Sequence, residues 1–544
     1  MINLFKRPQY FEAPLIFLLS FAYYLYFQRI HPLFSDEFNI FVQAERILNG
    51  QVPYRDFFQF TTPGALYLMA LWFKIFGRSI ESIRIISALQ GTLIVLLTWV
   101  LLKKVVKSNA IRIAGLLLTL NFSNTLWPII SHHWLSTIFA MYAVLIMADF
   151  VQRGSYLKVF SAGFLSAICF LFLQNKGIFL ITSFFVFLFL SHGYFKRTPD
   201  VIWRVATVFF SGAVLPVFLF LVYFYFSHAL DEFFYNTVIW VSGPYRKFNS
   251  YPNYYFMGNY AIFTVFTQNR FPWNFIRIRD WALIGYLPVF TLLFAVLFLF
   301  RNIKNKMQAG TESMDVFLLY AITGFFMFLS VLYRSDTVHL TFIFPFIIIL
   351  LCYMVEKWME SRKGRGIMGS TLPVSVLALL LVAGFYGIAA RIRDAGKFKT
   401  ALDTSIGRFY MLNEESAGAY RAILEFIKKN IPQKEIFVYN WASFIYFLTE
   451  KENPTRYDGI LPGYNTERQF EETVKELQEK HIQYIVHDSL ESVLASDPLA
   501  ASYPNADVNL DNVLNRFIKN NYSTVFQSGD APLSSLRILR LDGR

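Results

Sequence analysis

The sequence is poor in charge and in cysteine, and both deficits restrict the kind of protein it encodes. Of 544 residues, 16% are charged and 55% are hydrophobic, whereas soluble domains carry about a quarter charged residues. The two cysteines, Cys169 and Cys352, both fall inside apolar segments, which argues against a structural disulfide. The composition therefore excludes an ordinary soluble domain and predicts a polytopic membrane protein.

Other familiar features are also missing. The more polar C-terminal part contains no glycine-rich phosphate loop, so no nucleotide site is expected there. No internal repeat is visible along the chain. The first apolar segment lacks a small-residue cleavage site, which favours a retained membrane helix over a cleaved signal peptide.

The apolar segments are numerous enough for a helical membrane domain of about 11 spans. Segments of spanning length lie near residues 11–30, 82–102, 110–127, 133–151, 156–173, 178–193, 203–227, 281–300, 314–332, 340–356 and 370–390. Their spacing predicts a multi-pass protein of the inner or plasma membrane, with membrane lipids as its surroundings.

The net charge of +13 does not indicate nucleic acid, because the basic residues form no single patch. They cluster between apolar segments, at Lys103, Lys104 and Lys107; at Lys196, Arg197 and Arg204; at Arg301, Lys304 and Lys306; and at Lys357, Arg362, Lys363 and Arg365. Such clusters mark cytoplasmic loops and their anionic headgroups. An alternating path then places the Asp36 loop, the Arg334 loop and everything after Arg391 outside the cytoplasm.

The last third of the chain changes character. From about residue 400 the polarity becomes ordinary, and helix-like stretches near 414–430, 466–480 and 508–520 alternate with strand-like stretches at 436–439, 482–486, 523–526 and 536–541. This alternation predicts a small α/β domain. We therefore expect a transmembrane domain over 1–395, with a first outer loop over 31–81, and an extracytoplasmic α/β domain over 396–544.

Two adjacent carboxylates follow the first apolar segment, in Ser35-Asp36-Glu37. The apolar spacing after them predicts an amphipathic helix over 36–49 that ends at Gly50. One interpretation is structural: Ser35 caps the helix and the acidic residues complement its dipole. The other is functional, because a helix start also keeps a carboxylate ionised and oriented at the depth of lipid phosphates.

The order of several motifs resembles a known family. It runs from the Asp36-Glu37 pair and the amphipathic helix through Phe60-Thr61-Thr62-Pro63-Gly64, Lys74-Ile75-Phe76-Gly77, Arg84, Gln174-Asn175-Lys176-Gly177 and the segment 334–340 to Phe447-Leu448-Thr449 and Pro454-Thr455-Arg456-Tyr457. This layout resembles the GT-C membrane glycosyltransferases of the protein-mannosyltransferase and aminoarabinose-transferase type, over nearly the whole chain.

The resemblance implies transfer of a sugar from a polyprenyl-phosphate donor to a lipid, glycan or protein acceptor on the outer face. In such enzymes the first-loop aspartate, here Asp36, is taken as the base, and the anomeric carbon inverts. Glu37 then orients the acceptor or binds a divalent metal ion. The chain departs from the aminoarabinose transferases at Thr61-Thr62-Pro63, where they carry Glu-Lys-Pro, so another cation must meet the donor phosphate.

Candidate phosphate contacts are the outward-facing cations. Arg334, Asp336 and His339 share one short turn, and Arg334 with His339 could receive a phosphate. Lys176 and Arg84 are further candidates. Each also has a purely structural interpretation. Arg334 and Asp336 would form an ion pair that ends a span, Lys176 would be a snorkelling lysine, and Arg84 would anchor the helix at the lipid headgroups.

His132 and His133 are weak candidates for metal ligands, as is Glu37, because no spaced third ligand accompanies the histidine pair. We expect at most one of the two adjacent histidines to face a site.

Three other functions compete with glycosyl transfer. A flippase or transporter usually has ionisable groups near the bilayer midplane and repeated halves, which this sequence lacks. A lipid-glycan ligase or polymerase shares the substrates but typically relies on arginines in its outer loops. A non-catalytic scaffold would not depend on the carboxylate of Asp36.

Overall fold

The computed structural model describes residues 9–28, 36–124, 128–195, 199–249, 273–306, 312–334, 337–362, 366–411, 413–440, 442–488, 511–528 and 536–542. Ser35 and Asp336 lie outside these ranges. The described chain is mostly helical, as its composition predicts.

The helices, in chain order, are α1 (Gln9–Phe27), α2 (Asp36–Leu48), α3 (Gly64–Phe76), α4 (Ile80–Val105), α5 (Asn109–Phe122), α6 (His132–Arg153), α7 (Tyr156–Phe172), α8 (Gln174–Phe195), α9 (Pro199–Phe226), α10 (Leu230–Phe234), α11 (Arg246–Asn249), α12 (Trp273–Lys306), α13 (Glu312–Leu329), α14 (Thr337–Thr341), α15 (Phe344–Arg362), α16 (Gly366–Ala395), α17 (Glu414–Asn430), α18 (Phe444–Thr449), α19 (Glu467–Glu479) and α20 (Val513–Asn521). A π-helical segment joins α10 to α11 (Tyr235–Tyr245), and a 3₁₀ turn precedes α14 (Leu332–Arg334).

The strands are β1 (Thr400–Thr404), β2 (Gly407–Met411), β3 (Phe437–Tyr439), β4 (Tyr484–Asp488), β5 (Tyr522–Gln527) and β6 (Leu536–Leu541).

The apolar segments form the membrane helices. Within the described ranges, six helices are long and apolar enough to cross a bilayer: 80–105, 132–153, 200–226, 284–301, 314–334 and 374–395. Five shorter apolar helices accompany them, and each predicted apolar segment overlaps a described helix. The chain is therefore a multi-pass membrane protein, while the count of eleven spans stays a prediction.

By its internal contacts the chain forms two compact units. The first unit comprises 1–28, 85–220 and 252–394, and the second comprises 29–84, 221–251 and 395–544. The division into a transmembrane domain over 1–395 and a separate outer domain over 396–544 stays a prediction.

Glycines allow very close helix contacts in the first unit. A Cβ on Gly163 of α7 would lie 2.1 Å from the carbonyl oxygen of Phe209, and one on Gly212 of α9 would lie 2.1 Å from that of Phe160. No side chain fits at either position, so α7 and α9 meet backbone to backbone. Small residues play this part in membrane bundles, where packing replaces the hydrophobic drive between helices.

A third glycine sets the start of α8. A Cβ on Gly177 would lie 2.3 Å from Cα of Phe170 in α7, so only glycine permits this turn. Two apolar runs in the sequence are separated by Gln174-Asn175-Lys176-Gly177. In the structure this segment is the first turn of α8 and not a loop. Lys176 is consequently held on a helix, against the preceding helix.

In the second unit a four-stranded sheet has the order β3-β4-β6-β5, with β3 and β4 parallel and the other neighbours antiparallel. The helices and strands expected near 414–430, 466–480, 482–486 and 536–541 are all present within two residues. A hairpin of β1 and β2 was not expected. It docks on the start of α4, where the backbone N–H of Ile80 donates to the carbonyl oxygen of Ile406 (2.8 Å).

Aromatic rings hold α2 within the second unit. The ring of Phe447 in α18 lies 5.8 Å from that of Phe38, 5.4 Å from that of Phe41 and 5.8 Å from that of Phe73 in α3. All four side chains are buried. Such ring pairs stabilise a core beyond the area they bury, so the predicted amphipathic helix is a core element on this face.

Arg46 stabilises the C-terminal end of α2 through side-chain contacts. Its guanidinium pairs with the carboxylate of Asp458 (2.7 Å), whose side chain is 1% exposed. It also donates to the carbonyl oxygens of Thr455 (3.0 Å) and Asp56 (3.2 Å) and to Oε1 of Gln51 (2.6 Å). Because removing one member of a buried pair leaves the other uncompensated, this contact should matter for stability.

We expect Arg46→Met to destabilise the protein by about 3 kcal/mol, because Asp458 loses its countercharge. Thermal unfolding of the detergent-solubilised chain measures this loss. Arg408→Met is the matched control, since its ion pair with Asp403 is exposed (2.6 Å) and its loss should change the melting temperature little. Equal shifts for the two variants would contradict the interpretation.

Candidate active site

The carboxylate pair lies where the sequence predicts it, in the first turn of α2. Asp36 is exposed, whereas Glu37 is fully buried. The partial positive charge of a helix N-terminus favours carboxylates at these positions. The two acids therefore differ in access: Asp36 can reach a substrate, and Glu37 belongs to the interior of the second unit.

Arg84 lies near Glu37 within the second unit. Its side chain is 7% exposed, and its guanidinium carbon is 5.6 Å from the centre of the Phe409 ring. It interacts electrostatically with Glu37 and Glu81. Among the described residues none of its three guanidinium nitrogens has a hydrogen-bond partner. Arg84 is thus a buried cation balanced through space by carboxylates, one of them next to Asp36.

The first unit brings together five basic residues from four elements. His132 and His133 open α6, Lys176 lies in the first turn of α8, Arg334 ends the 3₁₀ turn, and His339 lies in α14. His132 interacts electrostatically with Lys176 and His339, and His133 with those two residues and with Arg334. We call these five residues the basic cluster.

Lys176 is the most enclosed member of the basic cluster, at 1% exposure. Its ammonium donates to the carbonyl oxygen of His133 (2.9 Å) and to Oγ1 of Thr137 (2.7 Å), and it lies 5.8 Å from the centre of the Phe342 ring. Both acceptors are neutral, so these contacts solvate the charge without cancelling it. A buried ammonium in this state attracts an anion.

The histidines pack around one ring. His133 stacks on Phe342 (4.4 Å between centres), and His339 meets His133 edge to face (5.0 Å). Within the described chain Nδ1 of His133 is buried without a hydrogen-bond partner. The ring of His132 lies 4.3 Å from that of His133, so both adjacent histidines face the basic cluster. The expectation that at most one of them faces a functional site stays a prediction, although both interact electrostatically with Lys176 and His339.

Two other contacts build the same region. The side-chain amide of Asn175 donates to the carbonyl oxygen of Ser330 (2.9 Å), which ties the start of α8 to the end of α13. The ring of Tyr333 lies 6.2 Å from that of His339. The sequence offers Arg334 with His339 as one candidate and Lys176 as another, and the fold of the first unit places all three in one cluster with both histidines.

The described residues do not fit a metal centre. Among them no group of three His, Cys, Asp or Glu side chains is arranged to hold a metal ion. Glu37 is buried near Arg84, and the two histidines at the start of α6 are surrounded by cations. A divalent ion needs several anionic or neutral ligands together, so no chemical step is assigned to one here.

The comparisons with known proteins agree with this reading of the fold. The family model described as dolichyl-phosphate-mannose-protein mannosyltransferase matches residues 61–231, which include Arg84, the two histidines and Lys176. This match bears out the predicted resemblance to the protein-mannosyltransferase type over that part of the chain. No curated protein matches the sequence.

Solved structures of an oligosaccharyltransferase and of ArnT share the fold over almost the whole chain. The apo oligosaccharyltransferase of Archaeoglobus fulgidus gives a TM-score of 0.53 at 13% identity, over 97% of this chain and 80% of its own. Its complex with Zn and sulfate gives 0.51 at 11% identity, over 96% and 72%. ArnT from Cupriavidus metallidurans, bound to undecaprenyl phosphate, gives 0.52 at 12% identity, over 98% of each chain.

The third carboxylate of α2, Glu45, leads to a prediction about pH. Burial raises the pKa of Glu45 from 4.5 to about 7, although the guanidinium of Arg78, 2.6 Å away, opposes the shift. The folded state therefore holds an extra proton between about pH 4.5 and 7. The stability that this proton confers is fully present below about pH 4.5 and is lost as the pH rises through about 7.

We expect the melting temperature of the wild type to fall, relative to that of Glu45→Gln, as the pH rises from about 5 to about 8. Thermal unfolding in detergent across this range measures the difference. Glu414→Gln, at an exposed helix start (side chain 70% exposed), serves as the control and should follow the wild type. Parallel profiles for wild type and Glu45→Gln would contradict the assignment.

Proposed function

We propose that this chain is an inverting membrane glycosyltransferase that moves a sugar from a polyprenyl-phosphate donor to an acceptor on the outer face of the membrane. The observation that carries the proposal is that the described chain contains both kinds of group that the reaction needs: an exposed carboxylate at a helix start in the second unit and, in the first unit, the basic cluster. Acceptor deprotonation needs the former, and a departing phosphate needs the latter.

In the proposed step, Asp36 accepts the proton of the acceptor hydroxyl as its oxygen attacks the anomeric carbon. The bond between that carbon and the phosphate oxygen breaks, and the polyprenyl phosphate leaves with the electron pair. A single displacement inverts the anomeric carbon. Glu37 does not reach the acceptor, since it is buried. Its proposed role is to interact electrostatically with Arg84 and so to fix the start of α2.

The leaving phosphate is assigned to the basic cluster. Lys176, Arg334 and His339 supply charge and donors, and His133 adds the buried Nδ1 that lacks a partner among the described residues. The ArnT structure contains undecaprenyl phosphate, which supports a lipid phosphate as the ligand class. One oligosaccharyltransferase structure contains Zn and sulfate. In the proposed mechanism side chains do the work of a metal ion.

We expect Asp36→Asn to lower turnover on the order of a thousandfold, because the amide cannot accept the proton. Purified protein is incubated with a panel of radiolabelled polyprenyl-phosphate sugars and membrane lipid extract, and transferred and released sugar are counted. Asp403→Asn, an exposed carboxylate in the β1 strand, is the matched control and should retain full turnover.

Turnover that survives in folded Asp36→Asn would contradict the assigned base. A wild type that turns over no donor, yet binds one, would favour the transporter interpretation. The configuration of the product at the anomeric carbon, read by NMR, separates inversion from retention.

We expect Lys176→Gln to weaken binding of undecaprenyl phosphate about tenfold or more, through loss of a buried cation that meets the phosphate. Binding of the fluorescent lipid phosphate to the purified protein measures this loss. Lys103→Gln is the control, because Lys103 pairs with Glu12 (2.7 Å) on a half-exposed surface. Unchanged affinity in Lys176→Gln would contradict the assignment of the phosphate to the basic cluster.

A further inference from the structure

A polar side chain of α4 joins this helix to the chain in front of α6. Gln90 lies in the apolar helix α4 and is 2% exposed. Its amide nitrogen donates to Oδ1 of Asn124 and to the carbonyl oxygen of Ile129, each at 2.9 Å. Its amide oxygen accepts from the backbone N–H of Ser131 (3.4 Å). One side chain therefore holds three points of the connection between α5 and α6.

These bonds have a structural explanation. The bonded backbone groups of Ile129 and Ser131 lie outside any helix, and buried backbone groups of a membrane protein need partners within the protein. Asn124 is also tied to α4, because its amide nitrogen donates to the carbonyl oxygen of Ser87 (3.3 Å). Two of the three partners of Gln90 nevertheless lie within three residues of the start of α6, so the same bonds also fix this helix start.

Ser131 links this connection to the basic cluster. It is the N-cap of α6, and its Oγ accepts from the backbone N–H of His133 (3.2 Å), as an N-cap side chain does. The carbonyl oxygen of His133 in turn accepts from the ammonium of Lys176 (2.9 Å). A chain of contacts thus runs from Gln90 through Ser131 and His133 to Lys176, and all four residues belong to the first unit.

We propose that Gln90 is a positioning residue for the donor phosphate, because it fixes the start of α6 and thereby the places of His133 and Lys176 in the basic cluster. Gln90 does not touch the phosphate, since its side chain is buried and its amide is bonded to the connection. Side chains that bind a ligand keep their geometry only when other residues hold them in place. This inference rests on the proposed function.

The test measures binding of fluorescent undecaprenyl phosphate to the purified full chain. Gln90→Met retains an unbranched side chain and removes its hydrogen bonds. We expect it to weaken binding about fivefold, as for one lost hydrogen bond, because His133 and Lys176 are then held less firmly.

Tyr24→Phe is the matched control. It removes another buried hydrogen bond of the first unit, between the hydroxyl groups of Tyr24 and Ser123 (2.8 Å). This variant should have a lower melting temperature and an unchanged affinity for the lipid phosphate, because Ser123 makes no contact of this kind with the start of α6.

A double variant separates positioning from a general loss of stability. If Gln90 acts through Lys176, Gln90→Met should weaken binding much less in a Lys176→Gln background than in the wild type, since coupled sites are not additive. In turnover with a radiolabelled polyprenyl-phosphate sugar, the apparent KM of Gln90→Met for the donor should rise about fivefold. Its apparent KM for the acceptor in membrane lipid extract should not change.

Four results would overturn the inference. They are unchanged affinity in Gln90→Met, an equal loss of affinity in Tyr24→Phe, losses that multiply in the double variant, and an equal rise of both KM values. Failure of the proposed function gives a different result. Unchanged affinity in Lys176→Gln alone would remove the proposed phosphate site itself, and with it this role for Gln90.

Discussion

The cost of enclosing charge among apolar side chains is the constraint on which this structure depends. Removing an ion from water costs several kcal/mol unless a partner compensates it. The second unit meets this cost at Arg46 by a direct ion pair with Asp458 and three further acceptors. At Arg84 it does so only through space, by way of Glu37 and Glu81. Arg46 therefore stabilises the fold through direct contacts, whereas Arg84 contributes to the electrostatic environment at the start of α2.

The same constraint applies in the first unit, where the charge of Lys176 is enclosed. Lys176 is as buried as a core residue, yet its two described acceptors are a carbonyl and a hydroxyl. Gly177 is what puts it there, because the backbone contact with Phe170 fixes the first turn of α8. A residue without a side chain thus determines where the most enclosed cation of the basic cluster lies. The proposed phosphate site is in this sense a product of helix packing as much as of charge.

Much of this could be predicted from the sequence, and the exceptions have physical causes. The start of α2 follows from its acidic first turn, and β6 from a run of alternating apolar residues, because both signals are local. The hairpin of β1 and β2 lacks strong alternation and depends on its docking at Ile80. No helix is predicted from the sequence over 230–249, where the structure has a helical path. Individual cations could be identified at the ends of apolar segments, but their convergence with both histidines depends on contacts between α6, α8 and α14, which no local pattern encodes.

The ion pair between Arg46 and Asp458 joins residues that are 412 positions apart in the chain. A ribosome releases the helix that carries Asp36 long before it makes the segment that anchors this helix, and domains form only as their chain emerges. The carboxylate helix therefore acquires its contacts with Phe447 and Asp458 late, after the apolar helices up to residue 395 have been synthesised. A chain cut short before Phe447 and Asp458 would retain its apolar helices and its basic cluster, but the helix that carries Asp36 would lack these two contacts. Completion of synthesis is thus needed before this helix is fully anchored.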